Sequence, residues 1–511
     1  VARSPSSSRC APEAQARARR GALGVVLVAA IGLTAGCSVD TGVVVDGASP
    51  VPLPSIPEAP GPAEVELVDP PAFDAIVTAP ADRTARPYDE AVAAAAADLE
   101  RFWAATYPEW YGQPWRPLLG GVYAALPGDP DIPGCGGEVI DHEEVELYAA
   151  FYCPDTDVLV YDDGPNSLLA ELAAEHGDAV FGVVLAHEYA HAVQSRAGDL
   201  DRSLPTIITE QQADCYAGAW LADTAAGGSP FLRTSDADLR GGLLAMVAVR
   251  DPVGLDPFDT GGHGSAFDRV GAFQQGTSIG PGACVGLLDE PLPLMPNRFL
   301  SEADASNDGD LPYGTAEGEI VPLILTALER YGAVVAATTG LDTIDAELVV
   351  ITRSDEVSCP DPVERPQTGL AVCPGTGVVY VDDAVARRLY DEPIEGRADF
   401  AVGYLLATGW AELVQAALGS PLAGEDRALA NDCLAGSFAN DLDPTRPARP
   451  DEPSTRGSLS PGDLDEAVIA AIRLGDLRSD DDVTGSALEK VASFREGVLG
   501  GLDVCLERIG R

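Results

Sequence analysis

Eight of the ten cysteines constrain this chain more than any other feature, because they fall into two quartets set in matching text. Phe151-Tyr152-Cys153-Pro154 runs on to Tyr161-Asp162-Asp163, and Val372-Cys373-Pro374 runs on to Tyr380-Val381-Asp382-Asp383. Asp214-Cys215-Tyr216-Ala217-Gly218 matches Asp432-Cys433-Leu434-Ala435-Gly436, and Gly264-Ser265-Ala266 precedes Cys284 by the interval at which Gly485-Ser486-Ala487 precedes Cys505. Ordered correspondences with near-equal spacing predict a tandem duplication. The copies span 86–290 and 316–511, joined by a polar linker over 291–315. A chain of 511 residues with 46% hydrophobic side chains is long enough for two such cores.

Each copy opens with an Ala-rich amphipathic helix, as at Asp89–Thr106, and a short strand follows its second Cys, as at Asp157–Tyr161. Helical periodicity then predicts Asn166–Glu175, Ala179–Ser195, Thr209–Ala222, Asp236–Val249 and Ser265–Ser278. Few strands among many helices predict an α+β fold rather than a parallel doubly wound sheet.

Residues 1–36 read as a signal: Arg17, Arg19 and Arg20 precede the apolar stretch Ala22–Leu33, which is short for a membrane span. It ends Leu33-Thr34-Ala35-Gly36-Cys37, which resembles the lipobox of bacterial lipoproteins and implies lipidation at Cys37. No other run approaches 18 consecutive apolar residues, so the expected attachment to the membrane is a lipid anchor rather than a transmembrane helix. Residues 37–85, rich in Pro, Ala and acid, are expected to be a tether. In an exported protein Cys135, Cys153, Cys215, Cys284, Cys359, Cys373, Cys433 and Cys505 are expected to form disulfides. Four per copy allow three connectivities each. The pairing Cys135–Cys153 and Cys215–Cys284, repeated as Cys359–Cys373 and Cys433–Cys505, needs the fewest assumptions. A formal charge of -49 leaves nothing to replace the counterions of a nucleic acid, which excludes that partner, and it argues against adsorption to anionic lipid.

Chemistry concentrates in His187-Glu188-Tyr189-Ala190-His191, inside the Ala179–Ser195 helix. A spacing of four puts both imidazoles on one helix face, where they can share a metal ion, with Glu188 placed to act on a water at an open position. The continuation that would supply a third His fails, because Gln194 stands where Gly is wanted and Ala197 where His is wanted. Further on, Glu210 and Asp214 lie one helical turn apart. That is the arrangement in which Glu is the third zinc ligand and Asp holds a ligand His through its other ring nitrogen. His142, among Asp141, Glu143, Glu144 and Glu146, and His176 at a helix end both read as solvated surface.

The motifs just described, together with Cys135-Gly136, the run Glu210-Gln211-Gln212-Ala213-Asp214-Cys215-Tyr216-Ala217-Gly218-Ala219-Trp220 and His263-Gly264-Ser265, resemble the neutral zinc metallopeptidase family of bacteria over roughly 100–290. The resemblance implies a predominantly helical, zincin-like domain in which His187, His191 and Glu210 bind Zn2+ and Glu188 is the catalytic base. It leads to a zinc endopeptidase acting on peptide or protein substrates, and with the lipobox-like segment the expected place is the bacterial cell envelope, lipid-anchored on the outer face of the cytoplasmic membrane or in a periplasm-equivalent space. His263 is the candidate donor to the oxyanion, against the plainer reading of a loop His that caps a helix or meets solvent. Two other functions stay open: a non-catalytic binding or scaffolding envelope lipoprotein, and a zinc amidase acting on cell-wall crosslinks. Aligning the copies sets Thr408, Gly409, Glu412 and Ala428 against His187, Glu188, His191 and Glu210, so the second copy is expected to lack metal ligands.

Overall fold

The computed structural model describes residues 65–511 apart from 260, 300, 307–308, 343, 345, 354–355, 360–362, 366–367, 392–396, 447–457, 476–477, 480–481 and 484–485. The signal, Cys37 and most of the expected tether therefore lie outside the described residues. The tether's last part does not: from residue 65 the chain lies on the fold, with Val68 N–H bonded to the Pro230 carbonyl. Val77–Thr78 (β1) pairs in parallel with the second strand of the first sheet.

Helix α1 (Asp89–Tyr111) buries Val92, Ala95, Ala96, Leu99, Phe102 and Trp103, an apolar stripe at helical spacing. It stops at Gly112, whose left-handed φ of 67° lets its N–H return to the Pro108 carbonyl. Strand β2 (Gly121–Ala125) follows, then β3 (Ala150–Cys153) and β4 (Val158–Asp162), in the order β1-β2-β4-β3. Strand β4 is parallel to β2 and antiparallel to β3. Central β4 is buried along its whole length, as its unbroken apolar run requires. The turn into it needs a left-handed residue, supplied by Asp157 at φ 52°.

Helices α2 (Leu168–His176), α3 (Ala179–Ala197), α4 (Thr206–Ala225), α5 (Asp236–Ala248) and α6 (Ala266–Ile279) complete the first half. They follow the expected helices, shifted by up to three residues at the ends. Helix α3 is apolar on nearly every side and threads the core. Helices α4 and α6 cross in backbone contact: a Cβ at Gly218 would collide with the Phe273 carbonyl, and one at Gly276 with that of Cys215.

The second half contains α7 (Ile320–Thr339), β5 (Glu347–Ile351), β6 (Val363–Arg365), β7 (Leu370–Cys373), β8 (Val378–Asp382), α8 (Asp383–Asp391), α9 (Asp399–Leu418), α10 (Gly424–Leu442), α11 (Asp463–Leu474) and α12 (Ala487–Ile509). Strand β8 is parallel to β5 and antiparallel to β7. Gly377, at φ 72°, turns the chain into β8. Gly436 lies against the Phe494 carbonyl and Gly497 against that of Cys433. The protein is thus α+β, mostly helical with two small mixed sheets. Helices α7 and α9 are long and apolar enough to cross a membrane by length and composition, which an expectation based on unbroken apolar runs missed. The apolar window of α9 is 83% buried within the fold, as a core helix would be. The disulfides are Cys135–Cys153, Cys215–Cys284, Cys359–Cys373 and Cys433–Cys505, the pairing that needed the fewest assumptions.

Candidate metal centre

Helix α3 carries His187, Glu188 and His191, and α4 beside it carries Glu210 and Asp214. All five are at least nine-tenths buried except His191, which is half-buried. The two Nε2 atoms of His187 and His191 are 3.3 Å apart. Glu210 Oε2 lies 3.0 Å from His187 Nε2, and its Oε1 lies 3.5 Å from His191 Nε2. Ligands about 2.0–2.1 Å from a tetrahedral zinc are about 3.3–3.4 Å from one another, so the donor set has the mutual spacing that ion requires. Glu210 Oε2 is buried and, although 3.0 Å from His187 Nε2, has no well-directed hydrogen bond of its own.

The far sides of both imidazoles are held. His187 Nδ1 sits 2.7 Å from Asp214 Oδ1. Arg269, from α6, grips the same carboxylate through Nε at 3.0 Å and a terminal nitrogen at 2.7 Å. His191 Nδ1 sits 2.9 Å from Gln194 Oε1. Gln194 in turn donates to the Thr209 carbonyl at 2.7 Å and to Gln212 Oε1 at 3.0 Å, which fixes its amide orientation. With both Nδ1 atoms engaged, the two Nε2 lone pairs face the shared point.

The electrostatics agree with that geometry. Burial disfavours a charged His187, but Asp214 and Glu210 outweigh it and raise the imidazole to about 10. Burial likewise opposes charge on His191, which Glu210 nonetheless raises. Burial works against ionising Glu210, yet His191, His263 and His187 hold it well below the usual carboxylate range. Protons on the imidazoles thus stand where a divalent cation would compensate the same carboxylates.

His263 reaches the edge of this group, its Nε2 4.0 Å from Glu210 Oε2, with a side chain 41% exposed. Asp251 holds its loop, accepting the N–H groups of His263 at 2.9 Å and Gly264 at 2.7 Å. Gly264 has φ 101°, a backbone conformation that a side chain would strain.

Two expectations need correction. His142 is not solvated: it is buried, and its Nε2 lies 2.8 Å from Asp162 Oδ1 at the end of β4. The acidic residues next to it in sequence concealed a partner twenty positions away. His176 is half-buried, and burial lowers its pKa. Sequence reasoning also missed Gln194 and Arg269 as supports of the ligands. Gln194 lies three residues beyond His191 on the same helix, a spacing that could have suggested contact; nothing local marks Arg269.

In the second half, Thr408, Gly409, Glu412 and Ala428 bring no imidazole together. Glu412 is occupied by Arg427 Nε at 2.5 Å and Asn431 Nδ2 at 2.9 Å. Asp432 is clasped by Lys490 Nζ at 2.9 and 2.8 Å, and accepts the Tyr404 hydroxyl at 2.6 Å. Lys490 is the sole lysine of the chain. A carboxylate group elsewhere in this half, Asp399, Asp463 and Glu466, serves the backbone N–H groups of Leu311, Ser460 and Phe400.

The chain is similar to uncharacterized proteins of Mycobacterium bovis and of two strains of Mycobacterium tuberculosis, at 33% identity over 195 residues. The match covers 33% of this chain and spans 64% of the length of those relatives. No family model matches the chain. No solved structure matches it either.

Proposed function

We propose that the protein is an extracytoplasmic zinc-dependent endopeptidase whose first half is a zincin-like domain and whose second half is a degenerate duplicate. The observation that carries this reading is the mutual spacing of His187 Nε2, His191 Nε2 and the Glu210 carboxylate beside the buried Glu188. Those three side chains would hold Zn2+. The motif resemblance to neutral zinc metallopeptidases supports the same assignment. Four disulfides support an oxidising compartment, and the lipobox-like Leu33–Cys37 supports lipid attachment there. The matching hairpins, glycine contacts and disulfides of the two halves support the duplication.

Zinc held by His187, His191 and Glu210 would supply Lewis acidity and would lower the pKa of a water towards about 7. Asp214 and Gln194 keep the two Nε2 lone pairs directed inward. Glu188, next to His187 and without a role among the three ligands, takes the proton of the attacking water on its carboxylate and passes it to the departing amine nitrogen. His263, exposed at the rim, donates from its ring to the carbonyl oxygen as negative charge develops there. A purely structural zinc site would have a fourth protein ligand and no buried carboxylate in the place of Glu188.

The test is metal analysis of the purified chain together with hydrolysis of a mixed peptide library by wild type and Glu188→Gln. One zinc in each, with hydrolysis confined to wild type, is the expected result. Zinc in both with hydrolysis by neither would favour a binding protein.

A further inference from the structure

Several bonds run from the second half to the start of α6, the helix that carries Arg269. Asp465, in the first turn of α11, is buried, and its Oδ1 accepts the Phe267 N–H at 2.9 Å. Its Oδ2 lies 3.4 Å from Arg250 Nε, with both side chains 5% exposed. The first N–H groups of a helix have no partner within it, and here α11 of the other half supplies one. Arg495, from α12, donates to the Phe267 carbonyl and stacks over its ring, 4.1 Å from the centroid. Gly271 makes room for it, since a Cβ there would collide with the guanidinium.

The residues gripped in this way flank the supports of the metal centre. Just before them, the amides of His263 and Gly264 are bonded to Asp251, the neighbour of Arg250. Just after them, Arg269 brackets Asp214, which lies against His187 Nδ1. A shift of the first turn of α6 would move both arms together. Rigid packed elements transmit such a shift rather than absorb it.

We infer that the second half positions the metal centre of the first, with Asp465 as the positioning residue that fixes the start of α6 and thereby Arg269 and His263. This gives the half that carries no histidine a function: it holds the supports of the centre in place. The catalytic consequence rests on the zinc reading above, whereas the mechanical link does not.

The experiment uses the full chain, as wild type, Asp465→Ala, Asp465→Asn and Gln274→Ala. Gln274 donates to the Leu488 carbonyl at 2.8 Å, so it crosses the same junction without touching the start of α6. The measurements are amide hydrogen exchange over residues 263–270 and zinc affinity by chelator competition. Asp465→Ala should speed exchange there and weaken zinc, each about tenfold. Asp465→Asn keeps an oxygen for the Phe267 N–H and should recover most of both, and Gln274→Ala should change neither. Wild-type exchange and affinity in folded Asp465→Ala would overturn the inference, as would equal losses in Gln274→Ala, which would mean general packing. If Asp465→Ala does not fold, Arg495→Met replaces it, with the same expected and overturning results. A wild type that binds no zinc would defeat the zinc reading alone, because the exchange arm still decides the mechanical link.

Discussion

Replacing Asp214 with Asn tests whether the ligands are held as described. Asp214 is fully buried and lies between His187 Nδ1, at 2.7 Å, and the Arg269 guanidinium, at 3.0 and 2.7 Å. Burial opposes its charge, but Arg269 and His187 more than compensate and lower its pKa. The substitution keeps the shape and removes the charge. Arg269, itself 2% exposed, then keeps neutral acceptors, the Val249 carbonyl and the amide oxygen of the new side chain, but loses the carboxylate charge that compensated its own. Leaving one member of a buried pair uncompensated costs about 3–5 kcal/mol. Loss of the support behind a metal-bound His weakens metal binding by about 10–100-fold. Denaturant unfolding in the presence of a chelator reads the first effect, and chelator competition on the folded protein reads the second. Adding Arg269→Met to Asp214→Asn should return part of the stability, because no buried charge is then orphaned, but should not return the zinc affinity. A loss below about 1 kcal/mol with unchanged zinc affinity would refute the account of this pair.

Other consequences are open to direct measurement. Burial raises Asp268 from the ordinary carboxylate range to about 7, so protonation stabilises the fold. That stabilisation is complete below about pH 3.8 and is lost as pH rises through 7, so Asp268→Asn should flatten the decline in unfolding midpoint between pH 4 and 8. Removing Cys215–Cys284, which closes 69 residues, should cost about 4 kcal/mol, and removing Cys135–Cys153, which closes 18, about 3 kcal/mol, read by denaturant unfolding. The full chain with His187→Ala and His191→Ala should hold no zinc in equilibrium dialysis at micromolar metal, since the second half offers Thr408, Glu412 and Ala428 instead. Cys37→Ser should release the protein from the membrane fraction or leave it unprocessed, as judged by detergent partitioning.

The parts of this account that were legible in the sequence are those fixed by local spacing. Two imidazoles four residues apart share a helix face wherever that helix lies, and Glu210 with Asp214 repeats the logic one helix later. The disulfide pairing was open among three connectivities in each half, and the structure has the one that needed the fewest assumptions. Contacts set by tertiary packing were not legible. Arg269 reaches Asp214 across 55 residues and Asp465 reaches Phe267 across 198, and neither has a local signature. His142 misled for the opposite reason: a run of acid reads as solvent-facing, while the strand end at Asp162 draws the imidazole inside. The start of α4 comes three residues earlier than periodicity alone placed it, at Thr206 directly after Pro205, which occupies the N-cap position.

Zinc-edge X-ray absorption on the purified full chain tests the central claim most directly. The account predicts one zinc per chain with two imidazole nitrogens at about 2.0–2.1 Å and oxygen ligands at about 2.0–2.2 Å, reduced to one imidazole in His191→Ala. A first shell containing sulfur at about 2.3 Å, an unchanged shell in His191→Ala, or no zinc at all, would contradict it.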